Sequence, residues 1–198
     1  MATKTIGDFK TKLAGGGARP NLFNVRFTTF PDPIKALWPQ STADLFEFLC
    51  KGAALPAQNV ASIDVPFRGR IFKVAGDRTI DTWTVTIIND EDFLFRTAFE
   101  GWMEHMARLD NNMGATQPSA YMTQATVQQL SRGGHKAGGG VNNTGADQKV
   151  LKEYTFVDMF PTNVSQIDLS YDSGDTIEEY TVEFAVNSFT LTGSGTSP

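Results

Sequence analysis

The residue types that most often do chemistry are few in this chain, and their spacing limits what they can do. Glu104 directly precedes His105, a carboxylate beside an imidazole. Adjacent residues do not share a helix face, so this spacing does not make a general-base pair. A packing or solvated histidine is expected. His135 sits in Arg132-Gly133-Gly134-His135-Lys136-Ala137-Gly138-Gly139-Gly140, which has the glycines and the lysine of a phosphate cradle. The Gly-Lys-Ser or Gly-Lys-Thr ending of a P-loop is absent, and the run reads as a surface loop. Asp77-Arg78 sets an acid next to a cation, which suits a turn or an interface better than proton transfer. Asp172, Asp175, Glu178 and Glu179 could gather around calcium, but they lack the spacing of an EF-hand loop. Cys50 is the only cysteine, so neither an intramolecular disulfide nor a thiolate zinc site is expected. Its neighbours Phe48 and Leu49 suggest a buried structural thiol. No residue is assigned to catalysis, to a cofactor or to a metal, and an enzyme is not expected.

The elements around these residues are mostly strands. Alternation predicts strands over Leu22 to Phe30, Leu45 to Lys51, Thr79 to Ile88, Tyr121 to Leu130 and Lys149 to Met159. Val60 to Val65 and Arg70 to Val74 read as a hairpin joined at Pro66-Phe67-Arg68-Gly69, and Pro66 points to an edge or a bulge. Gly76-Asp77 reads as a turn. Pro31, Pro33 and Pro39 are expected to break regular structure. Ile167 to Tyr171 and Ile177 to Phe189 read as a closing hairpin around Asp172-Ser173-Gly174-Asp175, with Tyr180, Val182, Phe184 and Val186 inward. A helix is predicted from about Asp90 to Leu109, where Phe95, Phe99, Trp102, Met106 and Leu109 form one apolar stripe. Asn89 is the expected cap, followed by Asp90, Glu91 and Asp92. Many strands and one helix imply a mainly β protein, a small barrel or sandwich with a flanking helix.

The chain of 198 residues suits a single domain over residues 1–198. Residues 1–17 read as a flexible N-terminal arm, 132–148 as a mobile loop and 190–198 as a C-terminal tail. No apolar run is long enough to cross a bilayer, and the start lacks the apolar core of a signal peptide. Neither export nor membrane insertion is expected. The net charge of -5 argues against gripping DNA, since phosphate binding needs clustered Lys and Arg.

Several motifs fall in a shared order. These are Ala18-Arg19-Pro20-Asn21-Leu22-Phe23, Ala54-Leu55-Pro56-Ala57, and Val74-Ala75-Gly76-Asp77-Arg78-Thr79 running on through Trp83-Thr84-Val85-Thr86 to Asn89-Asp90-Glu91. Phe160-Pro161-Thr162-Asn163-Val164 follows, with Leu169 and Asp172 beyond it. In this order the chain resembles the tail tube proteins of contractile-tailed phages of the T-even type, from about Ala18 to about Phe189. The resemblance implies a structural subunit with a small β-barrel and a flanking helix, six to a ring, with rings stacked into a hollow tube. It implies assembly in the host cytoplasm and a place in the virion tail. The implied partners are the tail sheath protein, baseplate and tail terminator proteins, a tape measure protein inside the channel, and genome DNA passing without sequence-specific binding.

Two surfaces are candidates under that resemblance. Arg68, Arg70, Asp77 and Arg78 are candidates for ring or stacking contacts, and Gln124, Thr126 and Gln128 for the channel wall. Relative to the T-even pattern, the chain carries extra residues around Pro31 to Ala43 and around Arg132 to Gln148. A tube-initiating baseplate subunit, or the tube of a bacterial contractile injection or type VI secretion system, is the alternative reading. An enzyme or carbohydrate-binding β-domain would need a concave site with convergent polar groups, and the sequence suggests none.

Overall fold

In the computed structural model, residues 5–13, 17–38, 42–132 and 150–192 are described. The strands β1 (Phe23–Thr29), β2 (Cys50–Ala53), β5 (Trp83–Ile88), β6 (Thr123–Leu130), β7 (Val150–Val164) and β8 (Glu179–Thr192) form one six-stranded sheet. Its order is β1-β6-β7-β8-β5-β2, and every neighbouring pair is antiparallel. Two further strands, β3 (Gln58–Phe67) and β4 (Arg70–Ile80), pair only with each other. The helices are α1 (Ile6–Lys12), α2 (Asp32–Leu37), α3 (Thr42–Leu49) and α4 (Leu94–Met106). The protein is therefore mainly β, as the alternation implies.

Strand alternation puts one apolar face on the six-stranded sheet, and α4 covers it. Val25 and Phe27 of β1, Ala125 and Val127 of β6, Phe156 and Met159 of β7, Val182 and Phe184 of β8, and Trp83, Val85 and Ile87 of β5 are buried there. From α4 come Phe95, Ala98, Phe99 and Trp102. Phe27 lies at the centre, with its ring centroid 4.9 Å from Phe46, 5.2 Å from Trp38 and 5.9 Å from Phe184. Two indoles are satisfied by backbone carbonyls: Trp83 donates to Ala54 at 2.8 Å and Trp102 to Tyr121 at 2.9 Å. The predicted inward set of the last strand holds for Tyr180, Val182 and Phe184, with Val186 half-buried.

Several local expectations are corrected. Leu45 to Lys51 is not one strand: α3 runs to Leu49 and β2 starts at Cys50. Helical spacing turns Phe46 and Leu49 toward the core and leaves Phe48 outside, whereas a strand over Leu45 to Lys51 would put Phe46 and Phe48 on the same face. The sheet curls so that α3 packs on both edge strands, β1 and β2. Pro31 and Pro33 do not abolish structure. They open α2, whose first turn has no use for the missing N–H; Pro39 lies outside the described residues. The segment Thr79 to Ile88 is divided at Asp81-Thr82 between β4 and β5.

Asn89 does not cap α4. Its side chain donates to Glu178 at 2.9 Å, and the Asp90 carboxylate accepts from the Leu94 N–H at 3.1 Å. The helix also ends at Met106, so Leu109 is 96% exposed rather than part of the buried stripe. Residues 167–171 are not a strand; β8 pairs instead with β7, which continues past Met159 to Val164. β7 can carry Pro161 because β6 pairs with it only as far as Met159, so the missing N–H breaks no ladder on that side.

Candidate assembly surface

The largest departure from a closed, self-sufficient fold is the β3–β4 hairpin. Its turn, Arg68-Gly69, has φ of 45° and 81°. Positive φ at both central residues matches the twist of the flanking strands, and glycine meets the second at no steric cost. Across the register, Ile63 faces Val74, Val65 faces Phe72 and Phe67 faces Arg70. Alternation puts Ala61, Ile63, Val65, Phe67, Phe72 and Val74 on one face. The other face carries Ser62, Asp64, Pro66 and Ile71 with Lys73, whose ammonium lies 3.5 Å from the Asp64 carboxylate. The first face is the more apolar, yet it is uncovered: Phe67 is 65% and Phe72 66% exposed. A two-stranded hairpin is marginal alone in water.

Gly76-Asp77, expected as a turn, is a β-bulge. Val60 pairs with Arg78 and Ser62 with Ala75, so Gly76 and Asp77 together oppose Ala61. A Cβ on Gly76 would lie 3.1 Å from Ile63 and 3.2 Å from the Ala61 carbonyl oxygen, so the close approach favours glycine. At the base of the hairpin Arg78 donates to the Gln58 side chain, and its guanidinium lies 5.7 Å from the Phe189 ring centroid. Asn59 donates to Asp81 at 2.9 Å.

The named charged candidates therefore divide. Arg68 and Arg70 stand at the hairpin tip; among the described residues neither makes an ion pair, and Arg68 lies over the Phe67 ring at 5.3 Å. Asp77 is in the bulge, and Arg78 ties the base to β8. Sequence reasoning chose the charges and passed over Ile63, Val65, Phe67, Phe72 and Val74. Their alternation is the signal: it is the pattern of a half-buried strand on a hairpin already expected at an edge.

The outer face of the six-stranded sheet holds the other candidates. Gln124, Thr126 and Gln128 do lie on one face of β6, opposite to Ala125 and Val127. Thr126 is 8% exposed, flanked by Arg26 of β1 and Thr155 of β7. Gln128 pairs with Asn24 and Glu153, and its amide donates to the Glu153 carboxylate at 2.5 Å. Arg26 is held by Glu47 of α3 at 2.8 Å. The strip is polar, and its charges have local partners.

The groups that could do chemistry do not converge. The Glu104 carboxylate accepts from the Leu109 N–H at 3.3 Å instead of pairing with His105. His135 and Lys136 lie outside the described residues. Glu178 is bound to Asn89, and Glu179 forms an ion pair with Lys51 at 2.5 Å. Among the described residues no three or more His, Cys, Asp or Glu side chains meet in a metal-binding arrangement. Burial pushes the Cys50 thiol up to about 12, against a small opposing effect of its contact with the Gly52 carbonyl. Burial also raises Tyr180 well above the ordinary phenol range, with Arg96 pulling the other way. Among the described residues no helix is long and apolar enough to cross a membrane.

Comparison with known proteins agrees with this architecture. Residues 18–192 match the family model described as phage tail tube protein. The chain is 35% identical over 175 residues to the tail tube protein of Enterobacteria phage T4, covering 88% of this chain and 91% of that one. Among solved structures, a chain of the anti-feeding prophage baseplate superposes with a TM-score of 0.58 at 12% identity, covering 91% of this chain and 98% of that one. A chain of the sheath–tube complex of the extracellular contractile injection system PVC gives 0.55 at 12% identity, covering 96% and 99%. At such identity these two establish a shared fold alone. The family match and the phage T4 relative establish more: this chain belongs to the phage tail tube protein family, whose members are structural proteins of the virion tail.

Proposed function

We propose that this chain forms six-membered rings that stack into the inner tube of a contractile phage tail. The observation that carries the reading is the uncovered apolar face of the β3–β4 hairpin. Covering Ile63, Val65, Phe67, Phe72 and Val74 contributes on the order of 1 kcal/mol each, given their partial exposure. A neighbouring copy supplies that cover along the tube. Around the ring, β1 and β2 are the edge strands, and edges are joints for a polymer. In this reading the tube grows from a baseplate inside a sheath, ends at a terminator, holds a tape measure protein during assembly, and passes genome DNA through its channel. The sheath–tube and baseplate settings of the fold relatives support the sheath and baseplate as partners.

Light scattering of the purified chain at rising concentration, with negative-stain microscopy, tests the proposal. Long hollow tubes with six-fold end views are expected; monomers at every concentration, together with virion tubes that lack the chain, would overturn it. The baseplate neighbour supports a second reading, a short tube-initiating ring. Labelled antibody separates the two: it decorates the full tail length for a tube subunit and only the distal end for an initiator.

A further inference from the structure

The hairpin and the loop of residues 165–178 leave the sheet at opposite ends. β4 passes into β5 at Trp83, which pairs with Phe184, whereas the far end of β5, Ile88, pairs with Glu179 at the exit of that loop. The length of β5 between them is about 17 Å. The two ends are chemically opposite. The tip carries Arg68 and Arg70 beside exposed Phe67, Ile71 and Phe72, with Lys73 and Asp64 paired just behind it. The loop carries Asp168, Asp172, Asp175 and Glu178, with no Lys or Arg, beside exposed Leu169, Tyr171 and Ile177. It surrounds an open concavity of about 650 Å³ lined by Ile167, Leu169, Tyr171 and Ile177 among others. That space is large enough for an aromatic side chain.

We propose that the hairpin tip of one copy seats on the 165–178 loop of the next copy along the tube. Phe67 or Phe72 enters the concavity, and Arg68 and Arg70 meet Asp172 and Asp175. The inference rests on the tube reading and names the partner surface of the hairpin. Its force comes from polarity. A contact between different surfaces at opposite ends of one molecule repeats without closing, which is how an open filament grows. Like surfaces facing each other would set Arg68 and Arg70 against the same charges and stop at a pair.

The test is a charge exchange in the full chain, read as the lowest concentration that yields tubes. Arg68→Glu with Arg70→Glu, and separately Asp172→Lys with Asp175→Lys, are each expected to raise that threshold tenfold or more without lowering the melting temperature. Combining all four is expected to bring it back to within about threefold of the unaltered chain. A second readout is covalent. Tubes of Arg68→Cys with Asp172→Cys should give a ladder of linked chains on oxidation, and dilute monomer should give none. Loop variants that assemble normally, or a four-fold variant no better than the hairpin variant, would overturn this contact while leaving the tube reading intact. So would loop variants that form normal tubes but no longer bind the sheath subunit, since the loop would then face outward. An unaltered chain that never forms tubes overturns both.

Discussion

Single side chains in this protein serve packing, and their titration reports it. Cys50 is the clearest case. Burial holds its thiol up at about 12, above the unfolded value of 9.0. The folded state keeps the proton that the unfolded state gives up, so this contribution is complete below pH 9 and is lost as pH rises from about 9 toward 12. We expect Cys50 to resist thiol reagents in the native protein at pH 8 and to react at once in denaturant. Cys50→Ala should flatten the alkaline fall in stability, leaving the part due to Tyr180; an unchanged alkaline profile would argue that Cys50 is more open than the structure indicates. Phe99 tests packing alone. It is fully buried and meets the rings of Phe27, Trp38 and Phe184. Phe99→Ala should cost about 3–5 kcal/mol in denaturant unfolding. A loss below about 1 kcal/mol would mean that the aromatic cluster repacks around the gap.

At the level of elements, the hairpin and the sheet obey different rules. Residues of the sheet are fixed by what lies across from them within one chain, whereas the apolar face of β3–β4 is left exposed among the described residues. Phe67→Ser with Phe72→Ser should therefore leave the melting transition of the monomer within about 0.5 kcal/mol of the unaltered protein. The same pair should suppress assembly. Equal losses of folding and assembly would instead make the hairpin part of the monomer core. The contrast also explains what was legible in the sequence. Alternation located β1, β5, β6 and the inward residues of β8, because each has one wet and one dry face. It misread Leu45 to Leu49, where apolar residues are dense enough to satisfy either period. It took Gly76-Asp77 for a turn because glycine serves turns and bulges alike, and only the register with Ala61 separates them. The candidate surface was half legible. The tip arginines stood out as charges, but the exposed apolar face looks in sequence like any buried strand.

At the level of the whole molecule, charge placement decides whether a tube can pass DNA. DNA is a dense line of negative charge, and a wall rich in Lys and Arg would hold it by counterion release. The outer sheet face offers the opposite: Gln124, Thr126 and Gln128 with Thr155 and Glu153, while Arg26 is neutralised by Glu47. Net charge of -5 agrees with that surface without locating it. If this face lines the channel, a passing duplex meets polar groups and weak repulsion, screened beyond about 8–10 Å. Gln124→Lys with Gln128→Lys would then line every ring with repeated cations. We expect tubes of this variant to form normally, since neither side chain belongs to the hairpin. DNA release from the assembled phage should slow, most strongly at low salt, and recover as salt rises. Release that is unaffected at every salt concentration would place these residues away from the channel. A map of the tube showing an inner wall dominated by Lys and Arg would reject the low-friction account, whichever strands supply that wall.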